Sequence, residues 1–254
     1  MLNIEKIKSE LCRMGINPPK IIYYELTDST NTRAREYARE HSEGGEPVIF
    51  IANAQSAGRG RRGRSFVSNQ GAGIYLSLLT YPDARGADAT DVTAKAAVAL
   101  ARAIDSLCDC QVGIKWVNDL YLGGKKLAGI LVEGEMDESG KIAHQVIGMG
   151  INVYKNAISE EISDIATSLE GELDSAPDRS ILAARIIGEL LSCPSDTYEE
   201  YKARSLVIGR DVTVIKLNES YKAKVLEIDS DFSLIIERDY KQERLFTGEI
   251  SLKI

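Results

Sequence analysis

Residues 58–66 read Gly58-Arg59-Gly60-Arg61-Arg62-Gly63-Arg64-Ser65-Phe66. Four arginines and three glycines in seven positions can form neither a core strand nor a stable helix. The glycines favour an irregular loop. The arginines make it a concentrated anion site, because guanidinium groups grip carboxylates and phosphates bidentately. The chain as a whole is acidic, with 31 Lys+Arg against 38 Asp+Glu and a formal charge of −7. One dense positive loop on a negative background points to a small polyanionic ligand under a movable lid. The same balance argues against a dedicated DNA-binding protein.

At 254 residues and 44% hydrophobic content the chain can bury a large core, or a large and a small one. Cys12, Cys108, Cys110 and Cys193 match no disulfide framework and no zinc site, and read as reduced thiols. No apolar run is long enough to cross a membrane and the N-terminus has no signal core, so a cytoplasmic setting is expected.

Periodicity predicts an α+β body. A helix over 3–14 ends near Gly15, and Ile21–Leu26 forms a strand. Asp28-Ser29-Thr30-Asn31 offers N-cap chemistry for a helix over Thr32–Glu40. Strands follow at Pro47–Ala54 and Gly73–Thr80, then a buried helix at Asp91–Cys108. Val112–Val117, Leu120–Leu122, Gly129–Glu135 and Ala143–Val153 read as further strands, with a turn at Gly123-Gly124. Asp178 caps a helix with Ile181, Leu182, Ile186, Leu190 and Leu191 inward, ended by Pro194. From Gly209 the texture changes to short β-rich runs: Asp211–Lys216, Tyr221–Ile228, Ser233–Glu237, Glu243–Thr247 and Ile250–Lys253. These predict a small all-β barrel. The expected division is 1–205 and 206–254.

Other segments carry chemistry, each with a plain alternative. Lys115-Trp116-Val117-Asn118-Asp119 places a lysine, an amide and a carboxylate at a strand end, where a surface ion pair would look the same. Gly124-Lys125-Lys126 opens an apolar strand and also fits an exposed turn. Gly148-Met149-Gly150-Ile151-Asn152 lacks the third glycine of a dinucleotide fingerprint, so its glycines are expected to admit a ligand to the backbone. His41 and His144 join no triad or metal set.

Together these segments resemble the biotin–protein ligases. The matching pieces are Asp28–Asn31, Gln55-Ser56-Ala57 leading into the arginine loop, Lys115–Asp119, Lys126-Leu127-Ala128-Gly129-Ile130-Leu131-Val132-Glu133, Gly148–Asn152 and Gly248-Glu249-Ile250-Ser251. Val117 stands where that family often has proline, and Phe66 where tryptophan is common. The resemblance implies a mixed-sheet catalytic domain of the class II aminoacyl-tRNA synthetase type with a small C-terminal SH3-like β-barrel. It implies activation of biotin by ATP to biotinoyl-5′-AMP, Mg²⁺ travelling with the nucleotide, and transfer to a lysine of a biotin carboxyl carrier domain.

By family position, Lys126, Arg61, Lys115 and Asp119 are the catalytic candidates. Ser29, Thr30, Asn31, Gln55, Gly58, Arg59, Gly60, Arg61, Lys126 and Gly129 would bind biotin, with Ile130 and Leu131 walling its slot. Arg61, Arg64, Phe66, Asn118, Lys126 and Asn152 would bind ATP. No resident metal is expected. Some members carry an N-terminal winged helix-turn-helix; only some twenty residues precede the catalytic segment here. Specific DNA binding is therefore not expected, nor membrane association, and the state would be monomer or homodimer. A lipoate or octanoate ligase of the same fold, and a nucleic-acid-binding regulator, are the alternative readings.

Overall fold

The computed structural model describes residues 2–41, 45–81, 89–192, 197–215, 219–246 and 249–251. Helix α1 (Ile4–Arg13) starts where the Asn3 side chain accepts from the Lys6 N–H, and it buries Ile7 and Leu11. Strand β1 (Lys20–Tyr24), helix α2 (Thr30–Glu40), β2 (Val48–Ala52) and β3 (Gly73–Thr80) follow. Helix α3 (Ala89–Asp105) leads to β4 (Gly113–Lys115), β5 (Asp119–Leu122), β6 (Lys125–Met136) and β7 (Ile142–Asn152). Three helices come next: α4 (Leu169–Glu172), α5 (Arg179–Ser192) and α6 (Tyr198–Ala203). The chain ends in β8 (Asp211–Ile215), β9 (Ser220–Ile228), β10 (Leu234–Arg238), β11 (Lys241–Leu245) and β12 (Glu249–Ser251).

The first seven strands make one sheet in the order β1-β2-β3-β7-β6-β5-β4. Only β1 and β2 run parallel, so the sheet is mixed as expected. Strand β2 reads as a continuous apolar run because both its faces are covered. Ile49 and Ile51 join the core under α1, α3 and α5, whereas Val48 and Phe50 pack with Ala34 and Ala38 of α2. The last five strands fall on the five expected short β runs, with ends shifted by up to two residues, and form an antiparallel sheet, β11-β10-β9-β8-β12. Its apolar side belongs to the same core cluster as the large sheet. Trp116 Nε1 donates to the Phe232 carbonyl at 2.8 Å, and Tyr198 OH to that of Ile228 at 2.8 Å, across the seam.

Several boundaries move. The helix expected to run to Cys108 stops at Asp105, and the strand expected over Val112–Val117 keeps only Gly113–Lys115. Asp178 Oδ1 caps α5 through the Ser180 and Ile181 N–H groups, but Ile181 is only half-buried while Ala183, Ala184 and Ile187 complete the inner face. Strand β6 begins four residues before the expected start, because Lys125 and Lys126 pair with Leu122 and Tyr121. Cys12, Cys108 and Cys110 are free thiols, and burial beside Asp105 pushes the Cys110 thiol up to about 12. Cys193, Pro194, Lys216, Thr247, Gly248 and Lys253 lie outside the described residues. Among the described residues no helix is long and apolar enough to cross a membrane.

Candidate active site

The arginine loop folds into a tight turn of its own. Gly60 N–H donates to Arg64 O (2.7 Å), Arg64 N–H to Arg61 O (3.2 Å) and Phe66 N–H to Gly58 O (2.9 Å). Arg62 (φ 55°) and Gly63 (φ 75°) both take left-handed backbone, a conformation natural to the glycine. Gly58 has no room for a Cβ, which would meet Phe66 O and Ser68 Oγ.

This turn lies between two adjoining pockets. The narrower has about 480 Å³ of empty volume, and Ser29, Thr30, Asn31, Gln55, Gly129 and Leu131 are among its walls. The wider has about 1200 Å³, and Arg62, Arg64, Lys115, Trp116, Asp119 and Tyr121 border it. Gly60, Arg61, Phe66, Asn118 and Lys126 line both.

Helix α2 begins at the narrow pocket. Ser29 sits at its N-cap position but makes no side-chain cap, and Thr30 and Asn31 are buried in its first turn. The local capping expected of these residues gives way to contacts with the sheet. The Thr30 N–H and hydroxyl both face Gln55 Oε1 (2.8 and 3.2 Å), and the fully buried Ser77 hydroxyl lies 2.7 Å from Thr30 Oγ1 and 2.6 Å from Asn31 Oδ1. Gln55 Nε2 in turn donates to Ser68 Oγ at 2.9 Å.

The glycines of β7 admit side chains of this chain itself. A Cβ on Gly148 would meet the Asn31 carboxamide, and one on Gly150 would lie 2.6–2.8 Å from the Phe66 ring. The expected approach of a ligand to bare backbone is thus taken up in part by Asn31 and Phe66.

Strand β6 delivers the lysine. Its register with β5 shifts between Leu120 and Tyr121, so Lys126 and Gly129 come to one side although an unbroken strand would put them on opposite faces. A Cβ on Gly129 would lie 3.3 Å from Lys126 Nζ. Lys126 Nζ pairs with Asp119 Oδ1 at 2.7 Å. Asn118 Nδ2 donates to the same oxygen (2.9 Å) and to Ile130 O (3.1 Å), while its Oδ1 accepts from Arg61 at 2.8 Å. Two cations on separate elements are therefore linked through one amide and one carboxylate. Lys115 Nζ reaches Tyr121 OH at 3.4 Å; burial, with Asp119 nearby, pushes the Tyr121 hydroxyl up to about 12.

Asn152 lies elsewhere. It is buried at the end of β7, donates to Thr167 O at 3.0 Å, and borders neither pocket. His41 and His144 also border neither. Sequence reasoning passed over Ser77, Tyr121 and Ile165. Ser77 is a polar residue in the middle of an apolar strand, which is its one signal; Ile165, exposed at the wide pocket, comes from an irregular segment with no periodicity to read.

The family described as biotin/lipoate A/B protein ligase matches residues 23–152. The bifunctional ligase/repressor BirA of Bacillus subtilis is 32% identical over 246 residues, covering 91% of this chain and 74% of that protein. The biotin–[acetyl-CoA-carboxylase] ligase of Mycobacterium tuberculosis is 33% identical over 186 residues, covering 66% of this chain and 64% of that protein. The biotin protein ligase from Aquifex aeolicus, solved in complex with biotin and ATP, superposes with a TM-score of 0.74 at 25% identity, covering 91% of this chain and 97% of that one. The chain belongs to the biotin/lipoate A/B protein ligase family.

Proposed function

We propose that this chain joins biotin to a lysine of a biotin carboxyl carrier domain in two half-reactions. One observation carries the reading: Arg61, Asn118 and Lys126 line both a narrow pocket with apolar and polar walls and a wide, arginine-rich one. That is the layout needed to bring a carboxylate from one side against a triphosphate from the other.

In the first half-reaction a biotin carboxylate oxygen attacks the α-phosphorus of ATP. The bond to the β-phosphate breaks, giving biotinoyl-5′-AMP and diphosphate. Lys126 and Arg61 offset the repulsion between the two anions and the charge that develops at phosphorus. Asp119 holds Lys126 until the substrates arrive. In the second, the neutral amine of the carrier lysine attacks the acyl carbon, AMP leaves, and the nitrogen gives up a proton, for which Asp119, a carboxylate lining the wide pocket, is the acceptor. Ser29, Thr30, Asn31 and Gln55 supply the polar partners of the biotin ring. Arg59, Arg64 and Phe66 close over the adenylate.

Among the described residues no three His, Cys, Asp or Glu side chains gather in a way that could hold a metal ion. Mg²⁺ enters bound to the phosphates, as part of the nucleotide substrate. The catalytic unit is residues 1–205; the unit over 206–254 borders the nucleotide side, where Ile250 and Ser251 line the wide pocket and Arg62 donates to Ile215 O.

The test is ATP–diphosphate exchange driven by biotin, lipoate or octanoate in turn. Exchange with biotin alone supports the reading; exchange with lipoate or octanoate in its place replaces the substrate.

A further inference from the structure

Glu133 of β6 borders neither pocket, yet its carboxylate touches a wall of one and the loop over both. Oε2 accepts from Asn31 Nδ2 at 2.8 Å. Oε1 accepts from the Arg59 guanidinium at 2.8 Å and lies 3.7 Å from that of Arg35. The Glu133 side chain is 16% exposed and Arg59's is 40%, so this pair is partly withdrawn from water.

The contact also decides how Asn31 points. An ionised carboxylate only accepts hydrogen bonds. Glu133 and the Leu131 carbonyl, 3.3 Å away, therefore hold the amide by its NH₂ end. The oxygen end is left for the Ser77 hydroxyl, in the space Gly148 leaves open. Asn31, Gly148 and Arg59 all line the narrow pocket.

We propose that Glu133 is a positioning residue that couples closure of the arginine loop to the shape of the narrow pocket. It touches no substrate. It ties Arg59, and with it the loop, to the element carrying Asn31, so that an ordered loop and a correctly turned amide come together. The consequence for biotin rests on the reading above; the tether itself does not.

The experiment uses the full chain as wild type, Glu133→Gln, Glu133→Ala, Arg59→Met and the double variant Glu133→Gln/Arg59→Met. Glutamine keeps the shape and an acceptor for Asn31 but removes the charge that holds Arg59, so it stands in should the alanine variant fail to fold. Melting temperatures establish folding. Trypsin cleavage after Arg61, Arg62 and Arg64 is then followed in ligand-free protein, and biotin affinity is measured by calorimetry without nucleotide. Glu133→Gln should speed loop cleavage and raise the biotin Kd, each by roughly tenfold, the scale of one charge-assisted hydrogen bond. The double variant should be no worse than Arg59→Met, since both remove the same contact.

Loop cleavage at the wild-type rate in Glu133→Gln would overturn the tether. A loosened loop with an unchanged biotin Kd, or effects that multiply in the double variant, would overturn the coupling. Should wild type itself fail to bind biotin, the substrate reading fails, and the cleavage rates still decide the tether.

Discussion

Lys126 is half-exposed and paired with Asp119, so it contributes little to the core. Lys126→Ala should leave the melting temperature near wild type. In the proposed reaction it removes a cation from between two anions, which in comparable electrostatic deletions costs about 10²–10³-fold in rate. Single-turnover formation of biotinoyl-AMP measures this, and a rate within threefold of wild type would remove Lys126 from the catalytic set. His144 gives a prediction on stability. Its ring is buried, Nε2 makes no hydrogen bond and lies 3.8 Å from Glu135 Oε2, and desolvation outweighs that carboxylate and holds the pKa below the ordinary 6.5. The unfolded chain takes up a proton near 6.5 and the folded one does so only at lower pH, so stability is lost as pH falls through that window. Urea midpoints at about pH 7.5 and about pH 5.5 should differ less in His144→Gln than in wild type. An equal difference would mean that the ring carries no part of the pH dependence.

At the scale of elements, the legible parts were those with a period or a motif. The run Gly73–Thr80 is legible to its end residues, because a β-rich apolar run has sharp limits. The arginine loop was legible as a loop, but its seat was not. Nothing local to Gly148 or Gly150 says that Asn31 and Phe66, far away in sequence, fill the space above them. The register shift before Tyr121 was equally invisible, since a bulge is fixed by pairing with a second strand. Asn152 is legible only through its neighbours in a motif, while its burial depends on the segment that carries Thr167.

Gly148→Ala should push the Asn31 amide off Ser77 and Glu133 and raise the biotin Kd by about tenfold or more. Calorimetry with biotin checks it, and an unchanged Kd would show that Asn31 does not shape the pocket. The loop itself holds four arginines, Arg59 already paired with Glu133, and an anionic ligand adds counter-charge to the set. Trypsin should cut it quickly in the free protein and slowly with biotin and MgATP. Equal rates would mean that ligand does not order it.

At the scale of the molecule, the two sheets share one apolar cluster, and the single tryptophan, Trp116, lies at their seam. Phe232 packs edge-on against Tyr198 and Tyr201 there, at 6.1 and 5.3 Å between centroids. The two units should therefore unfold as one. Tryptophan fluorescence and far-UV circular dichroism should give coincident urea transitions, and Phe232→Ala should lower stability by about 3 kcal/mol while keeping them coincident. Separate transitions would make the C-terminal sheet an independent body.

On the proposed function the joined pockets make a biotinyl adenylate and pass its acyl group to a carrier lysine. A purified biotin carboxyl carrier domain incubated with this protein, biotin and MgATP, then weighed by mass spectrometry, tests that most directly. The carrier should gain the mass of one biotinyl group, on one lysine, and only when biotin and ATP are both present. A carrier that stays unmodified with biotin, or that gains a lipoyl or octanoyl group when those acids are supplied instead, would contradict the account.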